Sequence, residues 1–145
     1  MAALSNYLEN KLIDQLFRGQ TYSFPSTLYV GLHTGSSGDA GATEVTGGSY
    51  VRSEVTCSLL NWAGTQGANT TVASSGTSGT TSNNNAINFV DPTGDWGTIT
   101  HFGLYDAVIG GNLLVWGAMT TPRVVANGDS APTFPVGQLQ IQLDN

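Results

Sequence analysis

The stretch DWGTITHFGLYD, from Asp95 to Asp106, alternates its side chains with the two-residue period of a β-strand. A strand is therefore predicted over residues 97–107. One face carries Ile99, His101, Gly103 and Tyr105, and the other carries Thr98, Thr100, Phe102 and Leu104. In an extended strand Asp95 and Asp106 lie roughly 35 Å apart, so both cannot reach His101. The stretch is predicted to be structural and not an acid/base or metal site.

Similar alternation on both sides of this stretch sets the fold class. Further strands are predicted at residues 26–34, 50–60, 86–90, 112–120 and 138–143. The 145 residues are predicted to form one domain: a mostly β, antiparallel sandwich or open barrel of about six to eight strands with one N-terminal α-helix. The helix is placed within residues 1–19 and the β domain within residues 26–145.

Two segments of the β domain are longer than ordinary hairpin loops. Residues 35–48 and 61–85 are rich in Gly, Ser, Thr and Asn. Long loops on a rigid β scaffold often bind a ligand or a partner, so both are candidates for contact with a receptor.

The N-terminal helix carries the candidate interface. Ser5 is a suitable N-cap, and Gly19 can end the helix. The apolar residues that share one side are Leu4, Leu8, Leu12, Ile13, Leu16 and Phe17. This apolar surface must pack either on the sheet of its own chain or on a neighbouring subunit.

The charge balance excludes some partners. Four Lys and Arg against ten Asp and Glu give a formal net charge of −6. Binding to nucleic acid or to an anionic membrane needs a basic surface, and the chain has none, so neither partner is expected. The sequence also lacks a signal peptide and an apolar run of the ~20 residues that span a bilayer.

The residues that could carry chemistry do not form a recognisable pattern. His33 and His101 lack metal-ligand spacing, and no G-x-S-x-G or phosphate-binding loop is present. Cys57, the single cysteine, falls on an apolar strand position and is expected to be buried and unreactive. Packing is favoured over a sugar-stacking platform for Trp62, Trp96 and Trp116. No catalytic, cofactor-binding or metal-binding residue is assigned, no cofactor is expected, and the chain is not predicted to be an enzyme.

Several blocks of sequence resemble a family of small structural proteins of tailed bacteriophages. The blocks are ALSNYLENKLIDQLFRG, P-x-T-L-Y-V-G-L-H-T, D-A-G-A-T-E-V-x-G-G-S-Y-x-R, A-I-N-F-x-x-P-T-G-D-W-G-T-I-T-H-F-G-L-Y-D-A and G-G-N-L-L-V-W-G-A-M-T-T-P. The resemblance covers nearly the whole chain apart from residues 62–83. Its most specific part is the block W-G-T-[IV]-T-H-[FV]-G-[LI]-[FY]-D at residues 96–106.

This resemblance implies a structural role in the virion. Such proteins are commonly labelled tail fibre proteins, and related small β proteins serve as capsid decoration or cement. The first interpretation is a capsid decoration protein that contacts the major capsid protein or other virion subunits and forms a homo-oligomer. It would be located in the virion after assembly in the host cytoplasm. The alternative is a tail-fibre or adhesin module that binds a host receptor through its long loops.

Overall fold

The computed structural model describes residues 2–143 and forms a β-sandwich with one α-helix. The strands are β1 (Ala2–Leu4), β2 (Thr27–His33), β3 (Ser53–Thr56), β4 (Thr80–Ser82), β5 (Ile87–Asn88), β6 (Gly97–Tyr105), β7 (Leu113–Val125), β8 (Thr133–Phe134) and β9 (Gln140–Gln142). The helix α1 spans Asn6–Arg18. The prediction of a mostly β, antiparallel fold with one N-terminal helix is confirmed, with no closed barrel among residues 2–143 and slightly more strands than expected.

The main sheet is built around the stretch that predicted the fold. Its five antiparallel strands follow the order β1-β7-β6-β2-β3, with β6 in the centre. Val30 of β2 lies opposite Leu104 of β6, and Leu32 lies opposite Phe102. All four side chains are buried, so the period-two pattern places an apolar face of the sheet against the core.

Two short two-stranded sheets form the second layer. β4 pairs with β9, and β5 pairs with β8. Phe134 of β8 meets Phe102 of the main sheet edge to face, with ring centroids 6.4 Å apart. Leu139 and Ile141, from the closing alternating run, are also buried in this core. The sandwich is thus closed by strands too short to be stable alone, which gain stability by packing on the main sheet.

A β-bulge changes the predicted face of one residue. Ile99 pairs with Arg123, but His101 pairs with Ala118, so the ladder is irregular between them. Ile99 is therefore buried on the core side, beside a small cavity that Leu32 also lines. The prediction that Ile99 shares a face with His101 is wrong, because a bulge breaks strict alternation.

Helix α1 begins and ends as its caps predict. The Ser5 hydroxyl accepts a hydrogen bond from the Leu8 N–H, and Gly19 closes the helix with a φ of +67°. Leu4 does not belong to the helix, because it pairs with Val115 as the last residue of β1. Among residues 2–143 no helix has the length and apolar character that crossing a membrane requires.

The strand predicted at residues 50–60 is shorter than expected. Only Ser53–Thr56 forms a strand, because the chain turns at Ser58, whose carbonyl accepts from the N–H groups of Asn61 and Trp62. Cys57 comes directly after the strand and is exposed, so the expectation of a buried thiol is wrong.

Candidate functional site

The carboxylates of residues 95–106, and Asp91 just before them, accept hydrogen bonds from backbone groups in turns. Asp95 accepts a hydrogen bond from the backbone N–H of Asn127 at 2.8 Å. Asp106 accepts from the backbone N–H of Asn112 at 2.6 Å and from its side-chain amide at 2.8 Å. Asp91 accepts from a backbone N–H in the loop that follows β7. These groups satisfy backbone donors at strand ends, as Asp often does in turns.

The two histidines lie opposite each other on β2 and β6 but have different surroundings. His33 is fully buried; its Nδ1–H donates to the Ala42 carbonyl at 2.9 Å, and its Nε2 accepts from the Tyr105 hydroxyl at 3.0 Å. A carbonyl can only accept, which fixes this tautomer. His101 is half-buried, and its Nδ1 lies 2.8 Å from the hydroxyl of its neighbour Thr100, within hydrogen-bond distance. Within residues 2–143 no three His, Cys, Asp or Glu side chains are placed to hold a metal ion.

A partly buried ion pair lies next to His33. The guanidinium of Arg52 donates two hydrogen bonds of 2.7 Å to the two carboxylate oxygens of Glu44. The Tyr50 hydroxyl donates to the same carboxylate at 3.1 Å, and the Arg52 Cζ lies 3.4 Å from the centre of the Tyr105 ring. These five side chains are called the internal polar network below: His33, Glu44, Tyr50, Arg52 and Tyr105.

The internal polar network connects separate parts of the main sheet. Arg52 also donates to the carbonyls of Ala107 and Gly110, each at 2.7 Å, and so holds the hairpin between β6 and β7. The Tyr50 hydroxyl accepts from the N–H of Leu32 at 2.8 Å. The segment 35–48 is thereby joined to β2, to β6 and to the hairpin.

The chemistry of this network is that of a structural cluster. Burial raises the pKa of Tyr105 to about 12, and burial together with nearby Glu44 raises the pKa of Tyr50 further. Both phenols therefore stay protonated at neutral pH and act as hydrogen-bond donors. Every member has its partner inside the domain, so the network offers no free nucleophile or base.

Gly103 in β6 makes room for the network. A Cβ atom there would lie 3.0 Å from the His33 Nε2 and 2.9 Å from a methyl carbon of Leu113. A larger residue at this position would displace a buried ring, so the glycine in the motif is explained by packing.

The buried histidine gives the fold a pH dependence. Burial lowers the pKa of His33 below its ordinary value of 6.5. The unfolded chain therefore binds more protons than the folded chain just below pH ~6.5, and stability is lost as the pH falls through this region. We expect denaturant unfolding to give a smaller free energy at about pH 5.5 than at about pH 7.5. His33→Gln should flatten this dependence and His101→Gln should retain it; an unchanged slope in His33→Gln would contradict the assignment.

Asn83 joins the segment 61–85 to the second layer. It is 1% exposed, and its amide donates to the carbonyls of Asn85, Phe134 and Pro135 at 2.8, 3.3 and 2.9 Å. Its carbonyl oxygen accepts from the N–H of Leu139 at 2.9 Å. All four of these hydrogen bonds go to backbone groups, so Asn83 also has a structural role.

Of the three tryptophans, Trp96 is packed in the hydrophobic core. Trp96 is 4% exposed, donates its ring N–H to the Gly48 carbonyl at 2.9 Å and meets Tyr50 edge to face. Trp62 and Trp116 are half-buried. Trp96 is therefore part of the core and not of a binding platform.

The apolar residues assigned to the helix divide into two groups. Leu8 is buried in the core, and Leu4 and Leu12 pack against it. The other three are exposed: Ile13 by 50%, Leu16 by 71% and Phe17 by 80%. These three are called the exposed helix stripe below: Ile13, Leu16 and Phe17. Their i, i+3 and i+4 spacing places them on one side of α1.

The end of α1 projects from the domain. Every residue from Gln15 to Thr21 is exposed, so the last turn of the helix is not covered by the rest of residues 2–143. A contiguous apolar surface on a projecting element is typical of a protein–protein contact.

Comparison with known proteins identifies the family. The family model described as Podophage GP4 fiber I protein gp80 matches residues 3–142. The chain belongs to this gp80 family. No curated protein matches it. The match in this gp80-family chain runs from inside β1 to the end of β9 and includes the internal polar network and the exposed helix stripe. The prediction of a phage structural protein is confirmed.

Proposed function

We propose that this gp80-family chain is a subunit of a phage fibre that acts by protein–protein contact, with the exposed helix stripe binding a neighbouring virion subunit. The observation that supports the proposal is the exposure of Leu16 and Phe17 at the projecting end of α1. Full burial of a side chain such as Leu or Phe stabilises by about 1.5–3 kcal/mol, so a covered stripe would contribute substantially to assembly.

The polar groups inside the domain are used for structural hydrogen bonds, which supports a role in protein–protein contact rather than in catalysis. The carboxylates at the ends of β6 hold turns, and the internal polar network holds a loop and a hairpin. The exposed helix stripe, in contrast, has no partner within residues 2–143 that covers it.

Capsid decoration is the second candidate function. It is favoured by the sequence, which contains no internal repeat of fixed period such as a fibre shaft would carry. In that role the stripe would bind the major capsid protein.

In a fibre, the segment 71–78, in which every residue is exposed, would remain available for a host receptor. In either role the chain would be assembled into the virion in the host cytoplasm.

Incorporation into particles tests the proposed function. Phage that lacks the gene would be complemented with the wild-type chain or with Leu16→Glu/Phe17→Glu, and the purified particles assayed by immunoblot and by gold labelling. Because two carboxylates would have to be buried in the contact, we expect the double variant to fall at least about tenfold in occupancy. The matched control is Val72→Glu, at a residue 60% exposed in the segment 61–85, and it should be incorporated normally.

The location of the label decides between the two roles. Label on fibres supports the fibre assignment, and label over the whole capsid surface supports decoration. Wild-type occupancy of the double variant would contradict a contact through the stripe in both roles. Thermal unfolding of both variants must match the wild type, which excludes loss through misfolding.

A further inference from the structure

We propose that a groove between β7 and the second layer of the sandwich binds a neutral saccharide. The groove has a volume of about 610 Å³, within the range of roughly 300–1,000 Å³ that is usual for sites of small ligands. Residues of β7, β8 and β9 line most of it, and no residue of the exposed helix stripe does. The proposal goes beyond the proposed function, because contact through the stripe makes no use of this groove.

The groove lies beside an irregular part of the main sheet. Between the pair His101–Ala118 and the pair Ile99–Arg123, β6 contributes one residue and β7 contributes four. These four residues, 119–122, have no partner in the ladder with β6 or with β1, and the first three of them line the groove. Bulges are frequent next to functional sites because they redirect side chains. Here the residues that leave the ladder supply one wall of the groove.

The groove combines neutral polar side chains with an apolar base. Four threonines and three glutamines line it, among them Thr120, Thr121, Gln138 and Gln142. Among the described residues that line it there is no Asp, Glu, Lys, Arg or His. Its apolar base includes buried side chains of Phe102, Phe134 and Leu139. The lining therefore offers many uncharged hydrogen-bonding groups above a smaller apolar surface.

Several of these polar groups are free to bind a ligand. The Gln140 amide donates to the Gly137 carbonyl at 3.2 Å, whereas the side chains of Gln138 and Gln142 are exposed and form no hydrogen bond within residues 2–143. The amides of Asn83 and Asn84, in contrast, donate to backbone carbonyls inside the domain. The glutamines of the groove thus keep the donors and acceptors that the structural amides have already used.

The chemistry of the lining matches a neutral saccharide. Amide side chains and hydroxyl groups can both donate and accept hydrogen bonds, and the hydroxyl groups of a sugar do the same. A sugar ring also has apolar C–H groups, which an apolar base with a few convergent polar groups can accommodate. A charged ligand would find no opposite charge in the groove, and the net charge of −6 repels anions from the chain as a whole.

An extended peptide fits the groove less well. A peptide that adds to a sheet needs a regular row of N–H and C=O groups along the edge strand. The bulge interrupts this row in β7, and Pro122 has no N–H to donate. Bulges and prolines protect a sheet edge from pairing with another strand. A saccharide, which does not depend on a regular ladder, is therefore the favoured ligand.

Binding to saccharides of the host bacterium tests the proposal. Oligosaccharides released from the surface polysaccharides of the bacterium that the phage infects would be separated by ion exchange into a neutral and an anionic fraction. Both fractions would be immobilised, together with a peptide library from the other virion proteins, and probed with the full chain on a multivalent carrier, which strengthens weak binding. We expect binding to the neutral fraction. In solution, the neutral fraction should shift the amide NMR signals of residues 118–121 and 138–142 but not those of residues 13–17.

Two exposed glutamines of the groove provide the test variant. Gln138→Ala/Gln142→Ala should raise the dissociation constant for the neutral fraction at least about fivefold, because each lost neutral hydrogen bond weakens binding a few-fold. The matched control, Asn10→Ala/Gln20→Ala, removes two exposed amides outside the groove and should bind like the wild type. Thermal unfolding of both variants should match that of the wild type, since all four residues are exposed.

Three results would overturn the proposal: no binding to the neutral fraction, binding that the glutamine variant retains in full, or binding to peptides alone. The second would place the saccharide site elsewhere, and the third would show that the groove takes a strand. Failure here can be distinguished from failure of the proposed function, because Leu16→Glu/Phe17→Glu should bind the neutral fraction like the wild type even when it is lost from particles.

Discussion

Replacement of Arg52 by alanine is expected to lower the free energy of unfolding by about 3 kcal/mol, the lower end of the range for removing one partner of a buried ion pair, because Glu44 keeps some contact with solvent. The Arg52 side chain is 8% exposed and its partner Glu44 is 20% exposed, so the remaining carboxylate would be left largely desolvated and unpaired. The change also removes the donors to two hairpin carbonyls and the cation over the Tyr105 ring. Urea unfolding monitored by tryptophan fluorescence measures the effect.

A surface ion pair in the same chain supplies the matched control. Arg18 and Asp14 approach to 3.4 Å on α1, but their side chains are 69% and 36% exposed. Solvent screens such a pair, and Arg18→Ala should change the free energy of unfolding by at most about 0.5 kcal/mol. If Arg52→Ala cost no more than Arg18→Ala, the internal polar network would not hold the fold together.

Replacement of Asn83 by alanine should have the second largest effect, a loss of about 2 kcal/mol in the free energy of unfolding, because each buried group left unsatisfied costs about 1–3 kcal/mol. The substitution would leave the N–H of Leu139 without its partner and would remove the Asn83 donor from the carbonyls of Asn85, Phe134 and Pro135, of which that of Pro135 keeps the N–H of Gln138. Contact between the segment 61–85 and the second layer would weaken first. Amide exchange should therefore accelerate in β4 and β9 more than in β2 and β6.

The control for Asn83 is an exposed asparagine. Asn10 lies on the solvent side of α1, and Asn10→Ala should change stability by no more than about 0.5 kcal/mol, in part because alanine favours helix. If the two variants had equal free energies of unfolding, the four hydrogen bonds of Asn83 would make no net contribution to stability.

The fold class could be predicted from the sequence because its main elements are long and periodic. β2 and β6 lie within one or two residues of the predicted strands, and the capping residues Ser5 and Gly19 fix the ends of the helix. Strands of two or three residues, such as β1, β4 and β8, show no readable period. The bulge that reorients Ile99 was not predicted either, since it depends on pairing with β7 and not on the sequence of β6 alone.

The internal polar network was not predicted because its members come from distant parts of the chain. Glu44 lies in a segment expected to be a loop, and its partner Arg52 precedes a short strand, so periodicity gives no signal for the pair. The sequence does contain one signal. The chain has only four Lys and Arg, and one of them, Arg52, follows a run of uncharged residues, 45–51, at the end of the glycine-rich loop. A cation in such surroundings is often paired.

The candidate interface was predicted as a set of six residues, and the structure separates them. A helical period shows which residues share a side, but it does not show how far along the helix the rest of the chain extends. Leu8 packs into the core, whereas Phe17 lies two and a half turns further along, beyond the edge of the domain. The spacing of Leu4 continues the stripe and predicts a helical residue, but pairing with β7 makes it a strand residue.

Cryo-electron microscopy of the intact virion tests most directly whether the chain functions by contact through the exposed helix stripe. We expect the domain to be found in a fibre, with α1 against a neighbouring chain and with Ile13, Leu16 and Phe17 covered. Virions in which the domain is bound through another surface while these three side chains face solvent would contradict the account.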